Sequence, residues 1–363
     1  MVRAADDAGL TSRDVNPDDH HMHVHAIVDA DLSTSGPAAA LAEQVGFDGV
    51  WVTETAHDPF LPLATAALAT RSITVGTAVA VALPRSPTHL AMTAADLQRA
   101  SSGRFVLGLG SQVRAHVERR FAADFDRPVA RMRELVGAVR SIWGCWERSE
   151  PLAVDGEFYR IDLMPPMFSP APHGFGDPPI YLSAVGQRMA ELAGEVADGV
   201  LVHGFSTVGY LRDVTIPAVH RGAERVGRDA AEVALARPVF VVTGRDEAEM
   251  AARATEVRQR LGFYGSTPAY RSVLEHEGWT DLGDELRSLV RAGRWRDLGG
   301  PIDDHVLSEL AIVAPIDRVA ETITNRFAGV VDRLSFNVPY ATEPDVWAQV
   351  LADIHAAAPQ GGR

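Results

Sequence analysis

Eight times along its length the chain alternates a short, apolar, β-rich run with an Ala-rich stretch of helical period. This is the pattern of repeated βα units, in which each strand is followed by a helix that covers it. The predicted strands are 23–28, 49–53, 73–79, 105–109, 180–183, 199–202, 239–242 and 334–338, with helical patterns such as 37–45 and 87–100 between them. Eight such units predict a closed (β/α)8 TIM barrel, with an open doubly wound sheet as the alternative. Two stretches break the rhythm and read as insertions. One, 147–179, precedes strand 5 and contains MPPMFSPAPHGFGDPP; the other, 263–315, lies between strands 7 and 8. Residues 1–18 are expected to be an N-terminal extension and 19–363 a single barrel domain.

Composition narrows the function. The net charge is −14, from 34 basic and 48 acidic residues, so a polyanion is repelled and no nucleic-acid partner is expected. Cys145 is the single cysteine, which excludes an intramolecular disulfide and a thiolate metal cage and fits a reducing compartment. No apolar run reaches the ~18 residues of a membrane span. The expectation is a cytoplasmic protein with no membrane partner.

In a barrel of this kind the chemistry sits where strands feed the following loops. Those positions hold Asp29 and Asp31 after strand 1, and Glu54, Thr55, His57 and Asp58 after strand 2. Ser111, Gln112, Arg114 and His116 follow strand 4, His203 closes strand 6 and Asn337 ends strand 8. His21, His23 and His25 alternate along strand 1 and would share a face, as metal ligands do. A metal-dependent hydrolase barrel also needs a bridging Lys or Glu on strand 4, His on strands 5 and 6 and Asp on strand 8. The chain has no Lys, strand 5 has no His and strand 8 ends in Asn337, so no metal is expected.

After strand 5 come Ser183, Ala184, Val185, Gly186 and Gln187, just before a helical run. Small residues let the backbone approach an anion, and free N–H groups at a helix start favour negative charge, so this turn is a candidate phosphate site. There is no G-x-S-x-G elbow, Walker loop or dinucleotide fingerprint, which leaves hydrolase, phosphotransferase and Rossmann readings without support.

Taken in order, GFDGVWVTETAHDPF, SITVGTAVAVALPRSP, SSGRFVLGLGSQ and PIYLSAVGQRMAELAGEVADGVLVH resemble the luciferase-like flavin monooxygenase superfamily, and within it the coenzyme F420-dependent oxidoreductases. The resemblance covers most of 23–210 and resumes near ELAIVAPIDRVAETI. It implies a (deaza)flavin ring in the barrel mouth, its phosphate tail at the Ser183–Gln187 turn, and a non-prolyl cis peptide under the ring at Ala78 and Val79. The acidic residue that deazaflavin members carry after strand 2 maps to Glu54. The His that often follows is Thr55 here, and a carboxylate found after strand 4 in some members falls on Val113. Both departures argue against the sugar-phosphate dehydrogenase subtype.

Glu54, His57, His116 and His203 are therefore the candidate acid–base residues, since an imidazole titrates near neutral pH. Ser111 and Gln112 are candidate cofactor contacts. The function expected is hydride transfer between F420 and a small organic substrate. The alternatives are an FMNH2-dependent two-component monooxygenase, served by a partner flavin or F420 reductase, and a non-catalytic flavin- or ligand-binding barrel. A homodimer is expected from the resemblance. The Pro-rich stretch 163–179 is a candidate lid, and Phe263, Tyr264, Tyr270 and Trp279 of the second insertion are candidates for an apolar pocket or a subunit interface.

Overall fold

The strands are apolar at nearly every position because both of their faces are covered, one by the barrel interior and one by helices. In the computed structural model, which describes residues 22–338 and 344–357, they are β1 (His23–Val28), β2 (Gly49–Val52), β3 (Thr74–Thr77) and β4 (Phe105–Gly110), followed by β5 (Ile180–Ala184), β6 (Gly199–Val202), β7 (Ala234–Val242) and β8 (Arg333–Asn337). Each pairs in parallel with the next, and β8 returns to β1, so the sheet closes as the expected (β/α)8 barrel.

Inside the barrel, large rings are accommodated by glycine on the neighbouring strand. His25 lies opposite Gly49, Trp51 opposite Gly76 and Tyr181 opposite Gly199 in register. A β-carbon on any of these glycines would fall within 2.7 Å of the ring beside it. Trp51 and Tyr181 pack with Val106, Leu201 and Ala236 into an inner core. The larger core lies between the strands and the helices outside them.

Three elements differ from the sequence reading. The third strand does not run through 79: β3 ends at Thr77, the Ala78–Val79 peptide is cis as the family resemblance implies, and Ala80–Val81 resumes pairing beside Leu109 and Gly110. The seventh strand begins at Ala234 rather than 239, because the small side chains of ALA, weak strand formers in isolation, fit the crowded interior. An extra strand, Ala311–Val313, lies within the second insertion and pairs with the upper end of β7.

The insertions differ in where they are held: Glu157, Phe158 and Tyr159 of the first bond Glu134, and Glu157 also pairs with Arg127, near the start of helix Pro128–Arg148. Within 163–179, Phe175 and Gly176 accept hydrogen bonds from Gln98, Phe175 lies beside Gly103, and Asp177 pairs with Arg148. These contacts hold its last residues at the end where strands begin, and no residue of the stretch is among those lining the cavity at the other end. The second insertion does approach it. Helices Glu247–Gly265, Arg271–His276, Thr280–Arg291 and Asp304–Leu310 build a separate apolar core against the upper part of β7. The N-terminal extension and His21 lie outside the described residues. Among those described, no helix is long and apolar enough to cross a membrane and no group of three or more His, Cys, Asp or Glu is placed to hold a metal ion.

Candidate functional site

A cavity of about 200 Å³ lies at the C-terminal ends of the strands. Its floor and flanks come from Trp51 and Thr53 of the second unit, Ala78 and Val79, Ser183 of β5, Leu201 and His203 of the sixth unit, Ala236 of β7, and Ser335 and Asn337 of β8. Tyr264, from the second insertion, forms part of the wall. Small residues line the slot beside the cis peptide. A β-carbon at Gly110 would lie 2.6 Å from the Val79 side chain and 3.6 Å from that of Ser183, so glycine is what keeps these two wall residues in place.

Four uncharged polar side chains line the cavity beside His203 and Arg237. The side chains of Thr53, Ser183, Ser335 and Asn337 form no hydrogen bond to another described residue. Ser335 is buried and the other three are half-buried, so their hydrogen-bonding capacity is open to a ligand in the cavity. His203 accepts a hydrogen bond from the Phe205 backbone N–H at Nδ1 (3.0 Å), which leaves Nε2 to carry the proton. Its ring stacks on Tyr270 (centroids 4.4 Å apart) and meets Tyr264 edge-on (4.5 Å). Burial, and then the nearby charge of Arg237, lowers its pKa to about 4, so the imidazole is neutral at physiological pH.

Arg237 borders the cavity at β7 but directs its guanidinium outward. The group donates to the Ser206 carbonyl and lies over Phe327 of the outer helix Val319–Phe327. It is buried, Nε has no partner, and no carboxylate among the described residues pairs with it. Burial, and then Arg326, lowers its pKa to about 9, so it remains a cation at neutral pH.

The structure thus brings Ala78, Val79, Ser183 and His203 of the expected site residues together at the cavity. Glu54 is elsewhere. Its nearly buried carboxylate takes two hydrogen bonds from Arg85 (2.7 and 3.1 Å) and one from the Val81 amide (2.7 Å), while Arg85 also reaches Asp58. His57, on the loop after β2, and His116, on the short helix Arg114–Arg119, are exposed and neither lines the cavity. Ser111 bonds the Gln112 carbonyl, and Gln112, at φ 59°, folds its own side chain back to the Val113 amide.

Ala184 is buried at the end of β5, and Val185 leads to Gly186, the N-cap of helix Gln187–Val196. No side chain caps this helix, and the space a β-carbon would take at Gly186 is open. The turn is braced from above: the Tyr210 hydroxyl lies 3.5 Å from the Val185 carbonyl and 2.9 Å from Ser272 of the second insertion. Sequence reasoning missed Thr53, Ser335 and Arg237 as parts of this site. The last has a legible signal, a lone charge inside the strand ALARPVFVV.

Comparison with known proteins agrees with this architecture. The family profile of the luciferase-like monooxygenases matches residues 15–333. An uncharacterised protein of Mycobacterium tuberculosis is 46% identical over 303 residues, 84% of this chain and 89% of that one. A second protein of that organism, provisionally named a coenzyme F420-dependent oxidoreductase, is 31% identical over 293 residues, 77% of this chain and 83% of its own. Among solved structures, the coenzyme F420-dependent tetrahydromethanopterin reductase of Methanopyrus kandleri superposes with a TM-score of 0.74 at 20% identity, over 91% of this chain and 97% of that one. With its profile matched over most of the chain and its barrel closed around a cavity at the strand ends, the protein belongs to the luciferase-like monooxygenase family.

Proposed function

We propose that the protein is an oxidoreductase that transfers a hydride between coenzyme F420 and a small organic substrate. The observation that carries this is the slot beside the Ala78–Val79 peptide, walled by small side chains and by four uncharged polar groups with open hydrogen-bonding capacity. A flat ring edged with amide-like donors and acceptors fits that inventory. The 31% identical relative with an F420-dependent name supports the choice of cofactor.

In this reading Ala78, Val79 and Ser183 would hold the ring, and the turn Val185–Gln187 its phosphate tail, where the uncapped helix start offers backbone N–H groups. When bound, the deazaflavin supplies or accepts the hydride. The chain's own tasks are to align the substrate carbon, to exclude water with the Tyr264 wall, and to hydrogen-bond the substrate oxygen. His203 is the group placed for the last task, as a neutral Nε2–H donor.

Titration of the purified apoprotein with F420 and, separately, with FMN tests the assignment. Tight and selective F420 binding is the expected result. Selectivity for FMN would replace it with a monooxygenase served by a partner reductase, and binding of neither would leave a barrel for another ligand.

A further inference from the structure

Among the described residues, no carboxylate lines the cavity, and the one ionised side chain on its border is a cation without a counter-ion. Burying an unpaired charge is costly, so such a group persists where its field is used or where a ligand compensates it. Arg237 has only the Ser206 carbonyl and the Phe327 ring for company. The carbonyl it bonds, that of Ser206, belongs to the same loop as His203 and Phe205, and its charge acts on the His203 ring.

The geometry of that corner is fixed from several sides. The Phe205 amide holds Nδ1, Tyr270 covers one ring face, and Tyr264 stands at the edge. The titratable groups around His203 are Arg237, Tyr264 and Tyr270, with Arg326 behind Arg237. None of them is an acid that would be ionised at neutral pH. Gly265, at the end of the helix that carries Tyr264, lies against Leu286 and Phe205, which seats the aromatic wall on the barrel.

We infer that His203 and Arg237 form an oxyanion corner for an oxygen-bearing substrate. The His203 Nε2–H donates to a substrate oxygen that is ionised or becomes so, and the uncompensated charge of Arg237 stabilises the negative charge there. Arg237 acts from behind, as a positioning residue; His203 touches the ligand. An oxygen on a carbon that accepts a hydride gains this charge, as do enolates and phenolates. The inference names the substrate class for the function proposed above and rests on it.

The test uses 4-nitrophenol, whose phenolate is coloured, bound to the apoprotein with no cofactor present. Expected is binding with the ionised-to-neutral ratio of the bound probe about tenfold higher than in buffer of the same pH. Arg237→Met should abolish most of that excess ionisation and raise the His203 pKa followed by NMR, whereas Arg237→Lys should preserve both. His203→Phe, which keeps a flat ring but no donor, gives a second reading should the Arg237→Met protein fold poorly; it should bind the probe in its neutral form. Absence of probe binding, a neutral bound probe in the wild type, or equal ionisation in all variants would overturn the inference. Because F420 titration is independent of these measurements, failure of the corner and failure of the cofactor assignment are separable.

Discussion

Trp51 lies across Gly76, its register partner on the next strand, with a ring atom 2.3 Å from the place a β-carbon would occupy. The ring is also stacked on His25 (4.8 Å, 11°) and forms part of the cavity floor, so the direction left open to it is into the cavity. Gly76→Ala should destabilise the fold by about 3 kcal/mol through overpacking, and should weaken cofactor binding by displacing the floor. Urea unfolding and ligand titration of the variant measure both.

The Glu54–Arg85 pair makes a different prediction. Its two-pronged contact and the Val81 amide bond tie the loop after β2 to the loop after β3. Glu54→Gln should cost about 2 kcal/mol, because the half-buried Arg85 guanidinium loses its two-pronged partner and keeps only the exposed Asp58. If the carboxylate serves this internal pair, the variant's cofactor affinity measured well below its melting temperature should change little. A large loss of affinity at unchanged stability would return Glu54 to the role of a cofactor ligand.

Gly186 separates fold from function. An Asp there has open space and extended backbone, and would cap helix Gln187–Val196, which no side chain now caps. Gly186→Asp should stabilise the protein by about 0.5 kcal/mol. The same carboxylate would repel a phosphate at the helix start, so the affinity for F420 should fall by about tenfold or more. Thermal unfolding and titration should therefore move in opposite directions.

Stability should depend on pH through His203. Burial and Arg237 hold its folded pKa at about 4, against about 6.5 in the unfolded chain. Both states are neutral above this window, and stability is then complete. As pH falls from about 6.5 to about 4, the unfolded chain takes up a proton that the folded chain does not, and up to about 3 kcal/mol is lost. His25, lowered mainly by burial and then by Arg333, acts in the same sense, while His276, raised by Glu277, opposes it. The fall in stability between about pH 7.5 and about pH 5, compared between wild type and His203→Gln, isolates the His203 share. An identical fall in both proteins would refute the assignment.

The eight strands were legible because period, burial and length agree in runs such as FVLGLG and GVLV, which tertiary contact only reinforces. The turn at 183–187 was legible too, since small residues before a helix have a local reason. His203 was found as a position and not as a state. Its tautomer comes from Phe205, its low pKa from burial and Arg237, and its aromatic neighbours from an insertion many residues away.

The sequence by itself determined the βα repeat and that chemistry would sit where strands feed their following loops, because these follow from local periodicity. The pairing of β8 with β1 is what chose the closed barrel over an open sheet. Only the tertiary structure decided which polar residues reach that site. Glu54, His57 and His203 look alike as candidates at strand ends, but Arg85 takes Glu54, solvent takes His57, and the helices after β7 enclose His203. A side chain's partner is set by distances across the fold, and those no local pattern records.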